Sequence, residues 1–301
     1  MLPDLDIKPF LVLGLALGGV FAMSGVGLVV LYRATGVLNL AYGAIGATGA
    51  LISWQILDSW TSTPEWVAFG ACVLFGGLVT LLYGVLLGPP LAGRDPLVKA
   101  TATLGLLLIL LGIMQWKWSN DAHSITLPTS KEPWQYVLAL GDDEIRINMT
   151  QIIGVVFPIA VTLGTTIFLR VTKVGTAMRA LANDREITAM LGVPVRRVEA
   201  AAWLGSGLVC GFTGLLLANL VSLDIGQLTF LVIPALAAAL IGQLRSLWIT
   251  LAAGFLIGMV QSCLSAYSNL AEYRTMTPFV LAIIALLWFS RGKQSTLMRS
   301  S

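Results

Sequence analysis

Few residues in this chain are of types that do covalent chemistry. His123 is the only histidine. It stands apart from any cysteine or carboxylate cluster of the kind a metal or hydrolytic site needs. Cys72, Cys210 and Cys263 each lie inside apolar runs, without disulfide or metal spacing, and read as small buried hydrophobes. Gly292-Lys293 does not close a phosphate-gripping loop. Position 287 is leucine where such a loop needs its first glycine, and the strand–loop–helix context is absent. No catalytic residue and no metal ligand is predicted, and the chain cannot itself cradle ATP.

What remains is uncharged polar chemistry inside apolar segments: Asn39, Tyr42, Thr101, Thr103, Ser206, Thr213, Gln227 and Thr229 among others. Hydrogen bonding between helices accounts for most of these. Asn39 differs. It sits between Leu38 and Leu40 in a glycine-flanked break, where freed backbone groups and a side-chain amide can face a solute. Asn39 and Tyr42, with Gln227 and Thr229 in a second interrupted segment, are the candidate lining of a translocation path. No acid or base falls in the middle third of an apolar segment, which argues against a proton-coupled pump.

The elements that must position these groups are membrane spans. Of 301 residues, 57% are hydrophobic and 11% charged, against roughly 25% charged in a soluble domain. The expected fold is a single all-α polytopic bundle over residues 1–301, with eight or nine spans. Nine segments are long enough. They run over 10–32, 36–57, 66–88, 98–116, 151–171, 199–221, 226–244, 247–268 and 277–290. The second, seventh and ninth are the weakest, and are candidates for broken or re-entrant helices. Spans one and two then echo spans six and seven, which suggests an inverted repeat. Small-residue pairs such as Gly14/Gly18, Gly43/Ala47, Gly205/Val209 and Gly254/Gly258 predict close helix packing.

Orientation follows from the arginines. With the N-terminus outside and the C-terminus inside, thirteen of the eighteen basic residues lie on the inner side and eleven of the fifteen acids on the outer side. Residues 117–150 become an outer loop, with a short hairpin expected at Ile145–Met149. Trp116, Trp118 and Trp134 read as interfacial anchors. Residues 172–198 become an inner loop. Its stretch Lys173–Glu199 carries five basic residues, and its apolar residues recur at helical spacing until Val193-Pro194. It reads as one short amphipathic element that can dock a cytosolic partner. A solvated loop that only fixes topology is the alternative.

Several stretches are similar to inner-membrane permeases of branched-chain amino-acid ABC transporters, the LivH type. They are Tyr32–Gly43 with its Asn39-Leu-Ala-Tyr42-Gly43, then Gly175–Val198, then Leu256–Tyr273. Tyr42 stands where the family usually has histidine. Gln243 and Arg245 replace glycines of a usual Gly-Gly-x-Gly-Ser run, and this unsettles the usual substrate. The resemblance implies a multi-pass subunit of a bacterial inner-membrane importer. It implies a second permease subunit, identical or homologous, two cytosolic ATPase subunits that carry ATP and magnesium, and a periplasmic solute-binding protein. The remaining contact is membrane lipid, with no nucleic acid. It also implies that the inner loop holds a coupling helix, with Arg179, Asp184, Arg185, Glu186, Gly192 and Pro194 at the ATPase contact. Spans five and six would carry the motion to Asn39 and Gln227. The alternative is a stand-alone carrier or facilitator for a small neutral solute.

Overall fold

The long apolar runs become helix among the described residues. The computed structural model describes residues 8–59, 64–119, 123, 134–140, 143–221, 223–267 and 270–297. In chain order the helices are α1 (Lys8–Thr35), α2 (Tyr42–Ser59), α3 (Glu65–Leu86), α4 (Gly88–Leu91) and α5 (Pro96–Trp118). A hairpin of β1 (Gln135–Leu140) and β2 (Asp143–Asn148) follows. Then come α6 (Met149–Val171), α7 (Lys173–Asn183), α8 (Arg185–Met190) and α9 (Val195–Leu220). The chain closes with α10 (Ile225–Thr229), α11 (Val232–Ile241), α12 (Leu247–Ala266) and α13 (Thr277–Leu297).

Six described helices are long and apolar enough to cross a membrane: α1, α3, α5, α6, α9 and α12. The other three expected spans are the second, seventh and ninth. The second starts at Tyr42 rather than residue 36, because Gly36 leaves the helix at φ +69°. Its amide still closes on the Tyr32 carbonyl at 2.7 Å, which caps α1. The seventh is broken between α10 and α11 at Phe230–Leu231. The ninth is continuous as α13. The outer hairpin is longer than expected. It pairs Gln135 with Asn148 through to Leu140 with Asp143, and Met149 already opens α6. Trp116 is exposed as an anchor should be, whereas Trp118 is buried in the core and corrects that expectation.

Two helices form the axis. α1 packs on α11 and α12, and α9 packs on α2 and α3; α1 and α9 also touch each other. Likewise α2 meets α3 and α5, as α11 meets α12 and α13. Exchanging α1, α2, α3, α5 for α9, α11, α12, α13 therefore carries each of these pairs onto another, whereas the smaller α12–α13 contact has no counterpart of that size. This is the contact pattern of two interlocked repeats. Along α1 and α12 the approach is antiparallel: a Cβ on Gly14 would stand 2.8 Å from Ser262 Cβ, and one on Gly25 would stand 2.8 Å from Thr250 Cγ2. The α3–α9 pair is also antiparallel, from Cys72 beside Gly211 to Gly84 beside Trp203. Gly205 was expected in such a contact, but nothing lies within 4 Å of its missing Cβ. Gly207 and Gly211 take that role on α9.

The buried apolar residues fall into two stacked clusters. One holds Phe21, Ala41, Tyr42, Trp118, Cys210 and Ile225. The other holds Leu31, Ala34, Val37, Met178, Leu181 and Trp203. The segment between α1 and α2 belongs to both, with Val37 in the second and Ala41 in the first.

Candidate translocation and coupling site

The break after α1 is built by side chains whose short-range bonds replace helix bonds. Thr35 Oγ1 donates to the Leu31 carbonyl (2.8 Å) and accepts from the Val37 amide (3.2 Å). Asn39 Oδ1 accepts from the Ala41 amide at 3.1 Å, a local turn that launches α2. Thr103 of α5 closes the gap from the side. Its hydroxyl donates to the Leu38 carbonyl (3.0 Å) and accepts from the Leu40 amide (3.1 Å). The two backbone groups most in need of partners are thus satisfied by one fully buried threonine.

The second break comes up against the first. A Cβ on Gly43 would overlap the Thr229 carbonyl oxygen, so the start of α2 lies directly on the end of α10. Asp224 caps α10, accepting from the Gln227 amide at 2.7 Å. Cys210 Sγ donates to the Tyr42 carbonyl at 2.8 Å. Cys210 lies fifteen residues into α9, about 22 Å along its axis. The meeting point is thus a little past the middle of that helix.

Of the four residues read as path lining, three converge here. Asn39, Tyr42 and Thr229 are all buried. Asn39 Nδ2 and Thr229 Oγ1 are buried without a hydrogen-bond partner among the described residues. Such groups cost about 1–3 kcal/mol each and in native folds call for a functional explanation. Gln227 is exposed on α10 and does not join them. Sequence reading named Thr103 only as one of several hydrogen bonders between helices and Cys210 only as a buried hydrophobe, and singled out neither as a support of the breaks. Thr103 sits among many threonines, and nothing local marks it. Gly43 was visible both in the Asn39–Gly43 motif and in the small-residue pair Gly43/Ala47, and its close approach is as that pair predicts.

The inner loop is two helices rather than one. Asp184 ends α7 and caps α8, accepting from the Ile187 amide at 2.9 Å. The cap takes Asp184 out of helical backbone, so the periodicity read across it belongs to two faces. Met178 and Leu181 of α7 face the second apolar cluster. Ile187, Met190 and Leu191 point the other way and are 53%, 78% and 78% exposed. Glu186 on α8 and Arg179 on α7 are also exposed, the latter near Arg33 of α1. Arg185 turns back to Glu199 of α9 in an ion pair of 2.9 Å. Gly192 at φ +80° turns the chain, and Pro194 precedes α9.

The family described as "Branched-chain amino acid transport system / permease component" matches residues 10–286. The chain belongs to this family. Among its relatives is the high-affinity branched-chain amino acid transport permease protein BraD of Pseudomonas aeruginosa. It is 25% identical over 202 residues, which span 64% of this chain and 65% of the relative. The corresponding protein LivH of Escherichia coli is 23% identical over 288 residues, 93% of this chain and 92% of that one. No solved structure matches the chain. A family permease with several spanning helices is a membrane transport protein, not an enzyme, and its multi-pass architecture agrees with the bundle above.

Proposed function

We propose that this chain is the membrane-spanning subunit of an ATP-driven importer for branched-chain amino acids or a related small solute. Its partners are a second permease subunit, two cytosolic ATPase subunits that hold ATP and magnesium, and a solute-binding protein that delivers cargo. It resides in a bacterial inner membrane with the N-terminus outside and the C-terminus inside, so that α7 and α8 face the cytoplasm. The observation that carries this reading is α8: a short helix between two spans whose apolar residues Ile187, Met190 and Leu191 face away from the bundle. An exposed apolar ridge on α8, with Glu186 on the same short helix, fits a protein partner.

In this reading Asp184, Gly192 and Pro194 shape the docking element. Arg185 ties it to α9, and Arg179 and Glu186 contact the ATPase. Nucleotide-driven closure pushes α8, and α7 passes the push to α1 through Met178 and Leu181. The break at 36–41 then shifts against α10, and the path opens at Asn39, Tyr42 and Thr229, with Gln227 at its rim. The test is to replace Arg179 and Glu186 with alanine, capture the ATPase on the tagged chain, and measure ATP-driven uptake in proteoliposomes. Loss of capture and of coupled uptake is expected. Uptake by this chain alone down a gradient, without ATPase, would instead establish a carrier.

A further inference from the structure

The inner end of the bundle holds a cavity of about 890 Å³ that none of the roles above uses. It is lined by Arg33 from the last turn of α1, Lys99 from the first turn of α5, Arg185 from α8 and Arg245 from the α11–α12 turn. No acidic residue lines it. Thr35 and Gly36, the last residues before the break, form part of its wall. The cavity therefore stands between the coupling helices and the start of the path.

An inward-facing surface is expected to be basic, so positive charge alone would mean little. Three features go further. The cations come from four separate elements yet meet on one concave wall. Lys99 is only 9% exposed, and no side-chain hydrogen bond among the described residues holds its ammonium group, which feels the charge of Glu199 behind the wall. The turn that delivers Arg245 is strained and tightly built. Gln243 and Leu244 are both left-handed, at φ 54° and 52°. Such backbone is costly for a leucine and concentrates at functional sites. It is held by the Leu244 amide on the Ala239 carbonyl (2.9 Å) and the Arg245 amide on the Gly242 carbonyl (3.1 Å). Arg33 then donates to the Arg245 carbonyl at 3.2 Å, which keeps the two arginines together.

We infer that this vestibule is a carboxylate site, and that the cargo is a small carboxylate anion rather than a zwitterionic amino acid. The excess of cations on this wall favours a carboxylate, and the one acid behind it, Glu199, is already paired with Arg185 and close to Lys99, which leaves no free acid for the ammonium group of an amino acid. Arg185 is already committed to Glu199, which leaves Arg33, Lys99 and Arg245 for the ligand. The inference rests on the reading above that the break at 36–41 borders the path.

The test is equilibrium binding to the full chain in phosphatidylcholine nanodiscs at low salt, which requires neither ATPase nor uptake. The probes are 3-methylbutanoate, leucine, 3-methylbutylamine and inorganic phosphate. Binding of 3-methylbutanoate at least about 10-fold tighter than leucine is expected, with no binding of the amine. Arg245→Gln and Lys99→Met should each weaken it on the order of 10-fold, the scale of one charge-assisted hydrogen bond, and Arg33→Lys should retain it. Thermal melting of each variant separates lost binding from lost fold. Equal affinity for leucine overturns the inference, as does indifference to the charge-removing substitutions. Tighter binding of phosphate, or loss of binding when phosphatidylglycerol is added to the disc, overturns it in favour of a phosphate or headgroup site. Because ATPase capture is measured separately, failure of this site and failure of the coupling reading give different results.

Discussion

Thr103→Val tests whether the break after α1 is an engineered joint or loose chain. Valine keeps the shape of the side chain and removes the hydroxyl. Threonine there is fully buried, and no water-accessible surface can replace it. Its bond to the Ala100 carbonyl (2.8 Å) matters little, because that carbonyl keeps its partner within α5. The bonds to Leu38 and Leu40 have no substitute in the geometry. Two buried backbone groups would be left unpaired, at about 1–3 kcal/mol each in a dry interior. Hydrogen bonds between membrane helices average nearer 0.6 kcal/mol, because alternative partners are found. A net loss of about 2 kcal/mol lies between these limits and changes the unfolding equilibrium on the order of 30-fold. Thr101→Val is the control on the same helix, since Thr101 bonds only to the Leu97 carbonyl four residues back and faces outward. It should cost under about 0.5 kcal/mol. Reversible unfolding in mixed micelles gives both values, and hydrogen exchange reads the Leu40 amide directly. If the two variants unfold alike and the Leu40 amide stays protected, Thr103 does not hold the break and the account of it is wrong.

Two further substitutions separate tight contact from open surface. Gly43→Ala pushes a methyl group into the Thr229 carbonyl and should destabilise by about 1–3 kcal/mol in the same assay, whereas Gly205→Ala meets nothing within 4 Å and should be neutral or stabilising by up to about 1 kcal/mol. Equal effects would mean that the two breaks do not touch. Met190→Asp, at a residue 78% exposed, should leave stability within about 0.5 kcal/mol while cutting ATPase capture on the order of 10-fold. Capture at the level of the unaltered chain would remove α8 from the interface.

How much of this was readable in advance depended on the range of the interaction. The helices are local, and long apolar runs specify them. The first break was legible because Thr35-Gly36 and Asn39 carry their own short-range bonds, the glycine taking a left-handed backbone and the asparagine a turn. Its position was misjudged by six residues, since apolar composition continues through Val37 and Leu38 while helical bonding stops. The split at Asp184 was also locally encoded, as an aspartate cap, but was masked by apolar residues that continue at helical spacing on either side. Thr103 was legible as a hydrogen bonder between helices but not as the support of this break, because its partners lie 63 and 65 residues away. The same holds for the basic vestibule. Its four cations are spread from position 33 to 245, and only the folded chain brings them to one wall.

The arrangement of the two apolar clusters gives the coupling reading its physical content. α8 touches the rest of the chain through few points: its junction with α7 at Asp184, the half-exposed Arg185–Glu199 pair and the buried Thr188. A push on it cannot be absorbed by α7 alone, because Met178 and Leu181 are packed against Leu31, Ala34 and Val37 in one close-packed cluster. The residue after that cluster along the chain is Leu38, which Thr103 holds to α5. In the coupling reading, movement of α7 loads the Thr103 joint and the Gly43–Thr229 contact, both beside interruptions of helical hydrogen bonding. A rigid bundle with two prepared weak points at one level will bend there first. In the coupling reading the interrupted segments are the expected moving parts, with α1 as the lever between them and α8.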